Sequence, residues 1–429
     1  MGARLGDGRH GLLSARGLTE AALVYAAHVF RLIAPLLLYP VLTRRLGLEA
    51  FGHYAAGLSL ALMVSAVVEY GFGLSGPRDI AQAKAEERGR VVGRVLGARL
   101  WLAPIGLLLG GLLALFNPVV RGDPGAIAGA LALGVAQGSS VLWFFQGVRR
   151  PGVAATAEML GQGAAMAVIL CWTGVSVGGA LGVQALGLGG GIAAGAVLMI
   201  RQARPIWPTA REVLAVLRGD LALFVSRGLI VAYTGASAYV VAALAGPAQA
   251  ALYGVADRLV LAATSFLRPL AGLVGPRISG LMRDDPDAAY RTTRWSLILT
   301  PGVAGAGALV VILCAPLAVR LLFGVAFAPA TEVLRVLALI LPLVAVSQVL
   351  GPQLMTPLRM DRAFAIVVGI GCGVTLIAAA VLAPTVGAMG MAWARVIGEA
   401  AVVGACVVCL RAHWTHLRPG LRGNDAAAV

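Results

Sequence analysis

Long apolar stretches alternate along the chain with short segments that carry charge, proline or glycine. A helix needs about 20 consecutive apolar residues to cross the hydrocarbon core of a bilayer. Windows of that length, taken between the charged or Pro/Gly breaks, predict twelve membrane-spanning helices near residues 19–43, 51–75, 93–116, 125–147, 152–174, 178–200, 218–243, 249–274, 295–319, 332–356, 363–383 and 387–410. The predicted fold class is therefore an all-α polytopic membrane protein.

The distribution of Lys and Arg over the connections predicts the orientation, because cytoplasmic loops carry the excess of these residues. With the N-terminus inside, the cytoplasmic segments carry 23 Lys or Arg, and the outside loops carry four, namely Arg44, Arg45, Arg121 and Arg320. We therefore expect a bacterial inner-membrane protein with both termini in the cytoplasm. Arg44 and Arg45 fit this pattern least well. The first apolar stretch is too long for a signal peptide, so we expect it to remain as the first span.

An internal repeat indicates that the chain is built from two halves. The second span and its exit read FGHYAAGLSLA…EYGFGLSGPRDIA from Phe51, and the eighth reads LYGVADRLVLA…FLRPLAGLVGPRISG from Leu252. Composition alone could produce some of this likeness in Gly- and Leu-rich helices. The Gly-Pro-Arg at residues 76–78 recurs at 275–277, at the same predicted cytoplasmic exit, and this favours a repeat.

Two six-helix lobes are the simplest architecture that such a repeat allows. We predict an N-terminal lobe at residues 1–204, a cytoplasmic linker at 205–217 and a C-terminal lobe at 218–429. Binding sites in transporters of this kind lie near the bilayer midplane where the repeats meet. We therefore expect the binding site between the lobes.

The composition indicates a chain for which lipid is the main solvent. Residues of the AVILMFWYC set make up 59% of the chain, and only 12% of residues are charged. The net charge of +15 would suggest nucleic acid in a soluble protein. However, Lys84 is the single lysine and no stretch interleaves basic and aromatic residues. We assign the charge to membrane topology and expect no nucleic-acid partner.

Motifs of soluble enzymes and metal sites are missing. The sequence holds no Gly-Lys-Ser/Thr phosphate loop, no His-Glu-x-x-His and no loop with paired carboxylates. All five cysteines lie in apolar segments, and the one CxxC, Cys406 to Cys409, has no second CxxC or nearby histidine to complete a zinc site. We predict no metal, no cofactor and no enzymatic activity.

Three pairs of glycines have the spacing of small residues at helix contacts, at 106 and 110, 191 and 195, and 369 and 373. Glycines four apart on one helix face allow two helix backbones to approach closely. All three pairs are predicted to lie at helix–helix contacts.

Ionisable residues inside the spans are the most informative, because each costs about 2.5–3.5 kcal/mol at the bilayer centre on insertion scales. Arg31, Arg258 and Arg395 lie near the middle of their spans, and Arg227 is intermediate in depth. Three more arginines lie closer to the interfaces, where snorkelling to water would explain them: Arg99, Arg268 and Arg335. The acids at comparable depth are Glu69, Glu158, Asp257 and Glu399.

Three of these arginines are candidates for binding an anionic substrate: Arg31, Arg258 and Arg227. Arg31 and Arg258 have no acid four residues away on their own helix. A guanidinium group binds phosphate oxygens through two parallel hydrogen bonds. A lipid diphosphate would suit such a site.

Two further pairs are predicted to form ion pairs or gates. Arg395 and Glu399 are four residues apart on one helix face, which favours an internal ion pair. Glu69 and Arg268 each lie eight residues before the proline of the repeated Gly-Pro-Arg. The repeat therefore places opposite charges at equivalent positions, and they are predicted to form a gate on the cytoplasmic side.

The sequence resembles a known family in RLIAPLLLYPVLTRRLGLEAFGHYAAG (Arg31 to Gly57), VVEYGF (Val67 to Phe72), PRDIA and ALYGVADRLV from Ala251. These segments resemble the polysaccharide or O-antigen flippases of the multidrug/oligosaccharidyl-lipid/polysaccharide exporter superfamily. The resemblance implies two six-helix lobes around a cationic cavity, and movement of undecaprenyl-diphosphate-linked oligosaccharide from the cytoplasmic to the periplasmic leaflet. Lumen arginines that engage the diphosphate in that family map here to Arg31 and Arg258 by position. Lumens of that family are often richer in lysine, which these spans lack.

Two other function classes stay open beside a lipid-linked oligosaccharide flippase. A cation or drug antiporter of the same fold would favour acids over arginines in its lumen. A membrane glycan polymerase or ligase should carry a large periplasmic loop, whereas the longest non-membrane segments, around 76–92, 201–217 and 277–294, all fall on the predicted cytoplasmic side. As a flippase the chain is expected to act as a monomer, with glycosyltransferases and a polysaccharide polymerase as partners.

Overall fold

The computed structural model describes residues 15–265, 275, 277–278, 280–281 and 284–414. These residues form helices joined by short connections, and no strand occurs among them. In this part of the chain nine helices are long and apolar enough to cross a membrane, or ten if one bent pair counts as a single span. The twelve predicted spans are mostly helical where they are described, but residues 70–71 of the second, 139–141 of the fourth and 236 of the seventh are not helical. Residues 266–274 of the eighth lie outside the described part.

The chain divides into two compact units, of which the first comprises Met1–Val255 and Arg320–Phe327. Its helices are α1 (Ala15–Glu69), α2 (Phe72–Gln82), α3 (Arg88–Phe116), α4 (Pro118–Arg121), α5 (Pro124–Gly138), α6 (Leu142–Gly147), α7 (Pro151–Cys171), α8 (Val177–Ala203), α9 (Ala210–Ile230) and α10 (Ser237–Ala245). The π-helical segment Val231–Gly235 joins α9 to α10, and the two helices meet there at a bend of 49°.

The second unit comprises Ala256–Val319 and Ala328–Val429. Its described elements are α13 (Ala330–Ala338), α14 (Ile340–Gln348), the π-helical segment Val349–Met355, α15 (Asp361–Val386) and α16 (Ala388–Trp414), while α11 (Pro247–Ser265) and α12 (Pro286–Phe323) run through both units. Its core includes Met355, Val367 and Cys406. The first unit extends past residues 205–217. The predicted lobes at 1–204 and 218–429 and the linker between them stay a prediction.

Helix α1 contains two predicted spans, joined at Gly47. The backbone of Gly47 is not helical, with φ 76° and ψ −179°. Such a positive φ costs an L side chain energy but is open to glycine. The kink therefore turns the chain between the first and second spans without a loop.

Arg44 and Arg45, the pair that fitted the charge pattern least, bind helix C-termini. Arg45 donates from Nη1 to the carbonyls of Ile169 (2.6 Å) and Trp172 (2.8 Å), and from Nη2 to that of Leu170 (2.8 Å), at the end of α7. Arg44 Nη2 donates to the carbonyl of Leu321, 2.8 Å away, in the last turn of α12. The last carbonyls of a helix have no intrahelical donor and carry its negative dipole end. Both arginines therefore have a structural reason to lie on the predicted periplasmic side.

Replacing Arg45 with alanine is expected to destabilise the protein by about 1–2 kcal/mol, because three carbonyls at the end of α7 lose a charged donor and exchange it for water. Thermal unfolding of the purified protein in detergent measures this loss. Arg121→Ala is the matched control, since Arg121 is also exposed and lies on the same predicted side. Equal melting temperatures for the two variants would contradict the capping role.

Glycines allow α7 and α8 to pack with their backbones in contact. A methyl group at Gly187 would overlap the carbonyl oxygen of Gly161, and one at Gly191 would overlap that of Ala157. The predicted packing role is confirmed for Gly191. It is confirmed also for the pair at 106 and 110, where an added methyl would meet valines 68 and 64 of α1. The prediction for the pair at 369 and 373 is wrong, because both positions face open space among the described residues. Gly371 makes the contact with α16 in their place.

Candidate functional site

A break in a membrane helix organises the interior of the first unit. Helix α5 ends at Gly138 and α6 begins at Leu142, which leaves Ser139, Ser140 and Val141 between them. Arg99 of α3 donates from Nη1 to the carbonyls of Ser139 (3.0 Å) and Ser140 (2.9 Å). One guanidinium group thus satisfies carbonyls that the break leaves without a helical partner.

Arg99 is enclosed by aromatic rings as well as carbonyl groups. Only 6% of it is exposed, and its guanidinium carbon lies 5.9 Å from the ring centre of Phe72 and 6.0 Å from that of Trp143. A cation at that distance is attracted by the negative face of a ring. The prediction that Arg99 snorkels to the interface is wrong, because its charge is held inside the helix bundle by partners on α2 and α6.

Glu158 of α7 is the acid nearest to this break. It is 8% exposed, and its Oε1 accepts a hydrogen bond of 2.5 Å from Ser140 Oγ. The charges of Arg31 and Arg99 both attract its carboxylate. Glu158 therefore stands between one exposed and one buried arginine, since Arg31 is exposed on α1.

Glu69 occupies the junction between α1 and α2. Its Oε1 accepts a hydrogen bond of 2.9 Å from the backbone N–H of Gly73, in the first turn of α2. Its Oε2 lies 3.5 Å from Nη2 of Arg227, and its charge attracts Arg99. The predicted partner in a gate, Arg268, lies outside the described residues, so that gate stays a prediction.

Helix α9 holds Arg227 beside this junction through two contacts, one with Tyr70 of the junction and one with α2. The rings of Tyr70 and Phe224 stack with their centres 4.4 Å apart, and Ser75 Oγ donates a hydrogen bond of 2.7 Å to Asp220 Oδ2. Arg227 follows one turn after Phe224 and reaches Glu69. Its side chain is 48% exposed.

Together these groups form a set of charges in which each acid interacts with two arginines, which we call the N-terminal charge chain: Arg31, Glu158, Arg99, Glu69 and Arg227. Three cations and two anions leave it with one net positive charge. The two terminal arginines are at least partly exposed, while the central arginine is buried. The guanidinium groups of Arg31 and Arg227 can therefore contact a ligand while Arg99 stays buried in its contacts.

The second unit holds another group of charges on α11 and α16. Glu399 is 5% exposed and accepts a hydrogen bond of 2.6 Å from Ser347 Oγ. Arg395 attracts the carboxylates of both Glu399 and Asp257, and Arg258 also attracts Asp257. Arg258 and Arg395 are half-buried. The predicted direct ion pair between Arg395 and Glu399 stays a prediction, as does the binding role of Arg258.

The residues that organise the first group of charges were not predicted from the sequence. Ser139 and Ser140 stand in the polar run Gln-Gly-Ser-Ser at 137–140, inside an otherwise apolar predicted span. Such a run is a usable signal for a broken membrane helix, since its backbone groups need partners other than lipid. Trp143 and Phe72 carry no comparable signal, because aromatic residues are common in any apolar span.

Comparison with known proteins bears on both fold and family. The family described as polysaccharide biosynthesis protein matches residues 18–282. A relative named "Putative O-antigen transporter" from Shigella dysenteriae is 24% identical over 393 residues, 89% of this chain and 96% of its own length. A relative with the same name from Escherichia coli strain K12 is 23% identical over 339 residues, 77% of this chain and 81% of its own length.

Two solved structures share the fold. The lipid II flippase MurJ in an inward closed conformation aligns with TM-score 0.73 and 13% identity, over 91% of this chain and 87% of its own. An inward-facing multidrug resistance MATE family transporter of the MOP superfamily aligns with TM-score 0.69 and 16% identity, over 91% of this chain and 94% of its own. The predicted all-α polytopic membrane fold is therefore confirmed.

Proposed function

Because the chain belongs to the polysaccharide biosynthesis protein family, we propose that it flips an undecaprenyl-diphosphate-linked oligosaccharide across the bacterial inner membrane for surface polysaccharide export. The relatives named for O-antigen transport support this proposal, and they support transport over catalysis. Glycosyltransferases on the cytoplasmic side would supply the substrate, and a polymerase on the other side would consume the product. In this proposal the chain acts as a monomer with both termini in the cytoplasm.

The N-terminal charge chain is the observation that carries the proposal. It places a net positive charge among membrane helices, where an unneeded charge is costly. The exposed guanidinium groups of Arg31 and Arg227 are the ones that meet an anionic headgroup. Arg99 is enclosed and holds the helices between them. A diphosphate offers oxygens to two guanidinium forks at once.

The pairing of Arg227 with Glu69 is weak enough to exchange for a ligand. The two charged groups are 3.5 Å apart, and the arginine side chain is 48% exposed. Exposed ion pairs contribute about 0–1 kcal/mol. A bound diphosphate therefore competes for Arg227 at little cost, and Glu69 keeps its hydrogen bond to the start of α2.

The surroundings of the buried acids in both units disfavour a drug or cation antiporter, the alternative function that the similarity to a MATE transporter suggests. Arginine charges attract Glu158, Asp257 and Glu399. A cationic drug near any of these carboxylates would also meet the repulsion of the arginines that attract it. An anionic substrate is attracted by the same arginines, and this supports the flippase proposal.

Removing the guanidinium group of Arg31, of Arg227 or of Arg258, the third predicted binding residue, is expected to weaken diphosphate binding about ten- to hundredfold, the effect of losing one charge-assisted contact of about 1.5–3 kcal/mol. Arg31→Ala, Arg227→Ala and Arg258→Ala are compared for export of surface glycan in a flippase-null strain, at equal membrane abundance. Lysine at these positions keeps the charge but loses the fork, so each lysine variant should fall between wild type and alanine.

Binding of undecaprenyl diphosphate and undecaprenyl monophosphate to the purified protein in nanodiscs gives a second measurement. Arg121→Ala, on the predicted periplasmic side, is the control and should bind and export as wild type does. Full export and unchanged diphosphate binding in all three alanine variants would refute the proposed site. A preference for organic cations over undecaprenyl diphosphate would instead support the antiporter.

A further inference from the structure

The connection between α8 and α9 lies in a groove that glycines open on α3. Ile206 N–H donates a hydrogen bond of 3.0 Å to the carbonyl of Gly89. A methyl group at Gly89 would lie 2.6 Å from the carbonyl oxygen of Arg204, and one at Gly97 would lie 2.6 Å from the ring of Pro208. A methyl group at Gly93 would overlap the carbonyl of Ile206. The backbone of this connection is therefore seated on one face of α3.

The seated backbone presents two large apolar side chains outward. Ile206 is 53% exposed and Trp207 is 66% exposed. The connection begins where the candidate span Val177–Ala203 ends, and it is seated on the first turns of the candidate span Arg88–Phe116. It thus lies where two membrane helices reach the surface of the bilayer. Tryptophan is favoured at that depth because its ring is apolar and its N–H is polar.

Arginines surround these two side chains. We call the whole feature the linker corner, formed by Ile206, Trp207, Arg88, Arg90, Arg94, Arg201, Arg204 and Arg211. Arg90, Arg201, Arg204 and Arg211 are exposed, and the other two arginines are partly buried. The predicted orientation puts this corner on the cytoplasmic side, where the leaflet surface is negative.

The acid closest to the corner is already engaged. Glu212 Oε2 accepts hydrogen bonds from the backbone N–H (2.8 Å) and the hydroxyl (2.9 Å) of Thr209, and Arg94 and Arg90 attract it. The bonds from Thr209 lower the pKa of Glu212, so this carboxylate stays charged at neutral pH. It offsets one arginine, and the exposed Glu86 and Glu87 offset two more. Three positive charges then remain at the corner.

We propose that the linker corner binds the headgroup of an anionic phospholipid of the inner leaflet, with Trp207 and Ile206 inserted at headgroup depth. The excess of arginine matches the negative headgroup. The exposed apolar pair matches the acyl boundary beneath it. This site is distinct from the N-terminal charge chain and involves no substrate of transport, so it goes beyond the proposed function.

Arg90→Gln combined with Arg211→Gln is expected to lower the affinity for phosphatidylglycerol about twenty- to thirtyfold, since each basic residue near an anionic surface contributes about fivefold. Native mass spectrometry of the full chain in detergent, titrated with phosphatidylglycerol or with phosphatidylcholine, measures this. Phosphatidylcholine binding should not change. Trp207→Ala should weaken binding of both lipids, because the ring makes apolar contact with either.

The control Arg149→Gln with Arg150→Gln removes two exposed arginines from another predicted cytoplasmic connection, and it should bind phosphatidylglycerol as wild type does. Lysine at positions 90 and 211 should restore binding, which separates loss of charge from loss of fold. Equal phosphatidylglycerol affinity in the glutamine variant and wild type would overturn the proposal. If inorganic phosphate bound as tightly as phosphatidylglycerol, the proposal would also be overturned, since the occupant would then be a free anion. No lipid diphosphate is present, so neither result depends on the flippase proposal.

Discussion

Methionine in place of Arg99 is expected to destabilise the protein by about 3–5 kcal/mol, because it removes one partner from a buried charge network and leaves the others uncompensated. The carbonyls of Ser139 and Ser140 lose the guanidinium donor at 2.9–3.0 Å. Glu158 loses one of the two cations that attract it. Methionine is also unbranched near the backbone, but it is shorter and offers no donor. The α5–α6 break therefore loses its link to α3.

The free energy of unfolding from SDS titration in mixed micelles measures this effect, with Arg335→Met as the matched control. Arg335 was also predicted to lie near an interface, and its ion pair with Glu332 (2.6 Å) is exposed at 40% and 60%. That variant should lose about 0–1 kcal/mol. Combining Arg99→Met with Glu158→Gln should recover part of the loss. Equal destabilisation by the two single methionine variants would contradict the buried role of Arg99.

A single methyl group at Gly191 is expected to destabilise the protein by about 1–3 kcal/mol, whereas the same change at Gly190 is expected to be neutral or stabilising. The added methyl at Gly191 meets the backbone of Ala157, which cannot rotate away as a side chain would. At Gly190 nothing lies within 4 Å. Alanine also favours helix over glycine by up to about 1 kcal/mol at either position. Alanine should therefore lower the stability at Gly191 and leave it unchanged or raise it at Gly190.

Melting temperatures of Gly191→Ala and Gly190→Ala in the same detergent decide the point. Gly161→Ala tests the other side of the contact, because its methyl would overlap the backbone of Gly187. It should behave as Gly191→Ala does. If Gly191→Ala melted at or above the temperature of Gly190→Ala, the backbone contact between α7 and α8 would be wrong.

For each arginine, the sequence predicted the distance from the end of its span. It could not predict which face of the helix, buried or exposed, carries the side chain. Arg99 and Arg335 were placed at similar depth, yet one is 6% exposed and the other has a side chain 40% exposed. A position along the chain states how far a residue lies from the end of its span. Which face of the helix meets protein depends on neighbours that are distant in sequence.

The glycine pairs also show that the sequence did not predict which helix face makes a contact. Spacing alone predicted contacts at residues 191 and 373 alike, and the structure has a contact at the first and open space at the second. On α15 the contact falls on Gly371, which faces α16. A helix that is glycine-rich on several faces can pack through any of them, so spacing alone does not select the face.

The sequence by itself determined the membrane class, most of the helical segments and the family resemblance, while the orientation stays a prediction. Each follows from local hydropathy, loop charge or short motifs, which are properties of neighbouring residues. The tertiary structure decided the partners of the polar groups. Arg99 reaches carbonyls 40 residues away, Arg45 caps a helix more than 120 residues away, and Arg227 reaches Glu69 across 158 residues. These partners lie far apart in sequence, and each is selected because a buried or helix-terminal polar group must find a donor or a counter-charge within the fold.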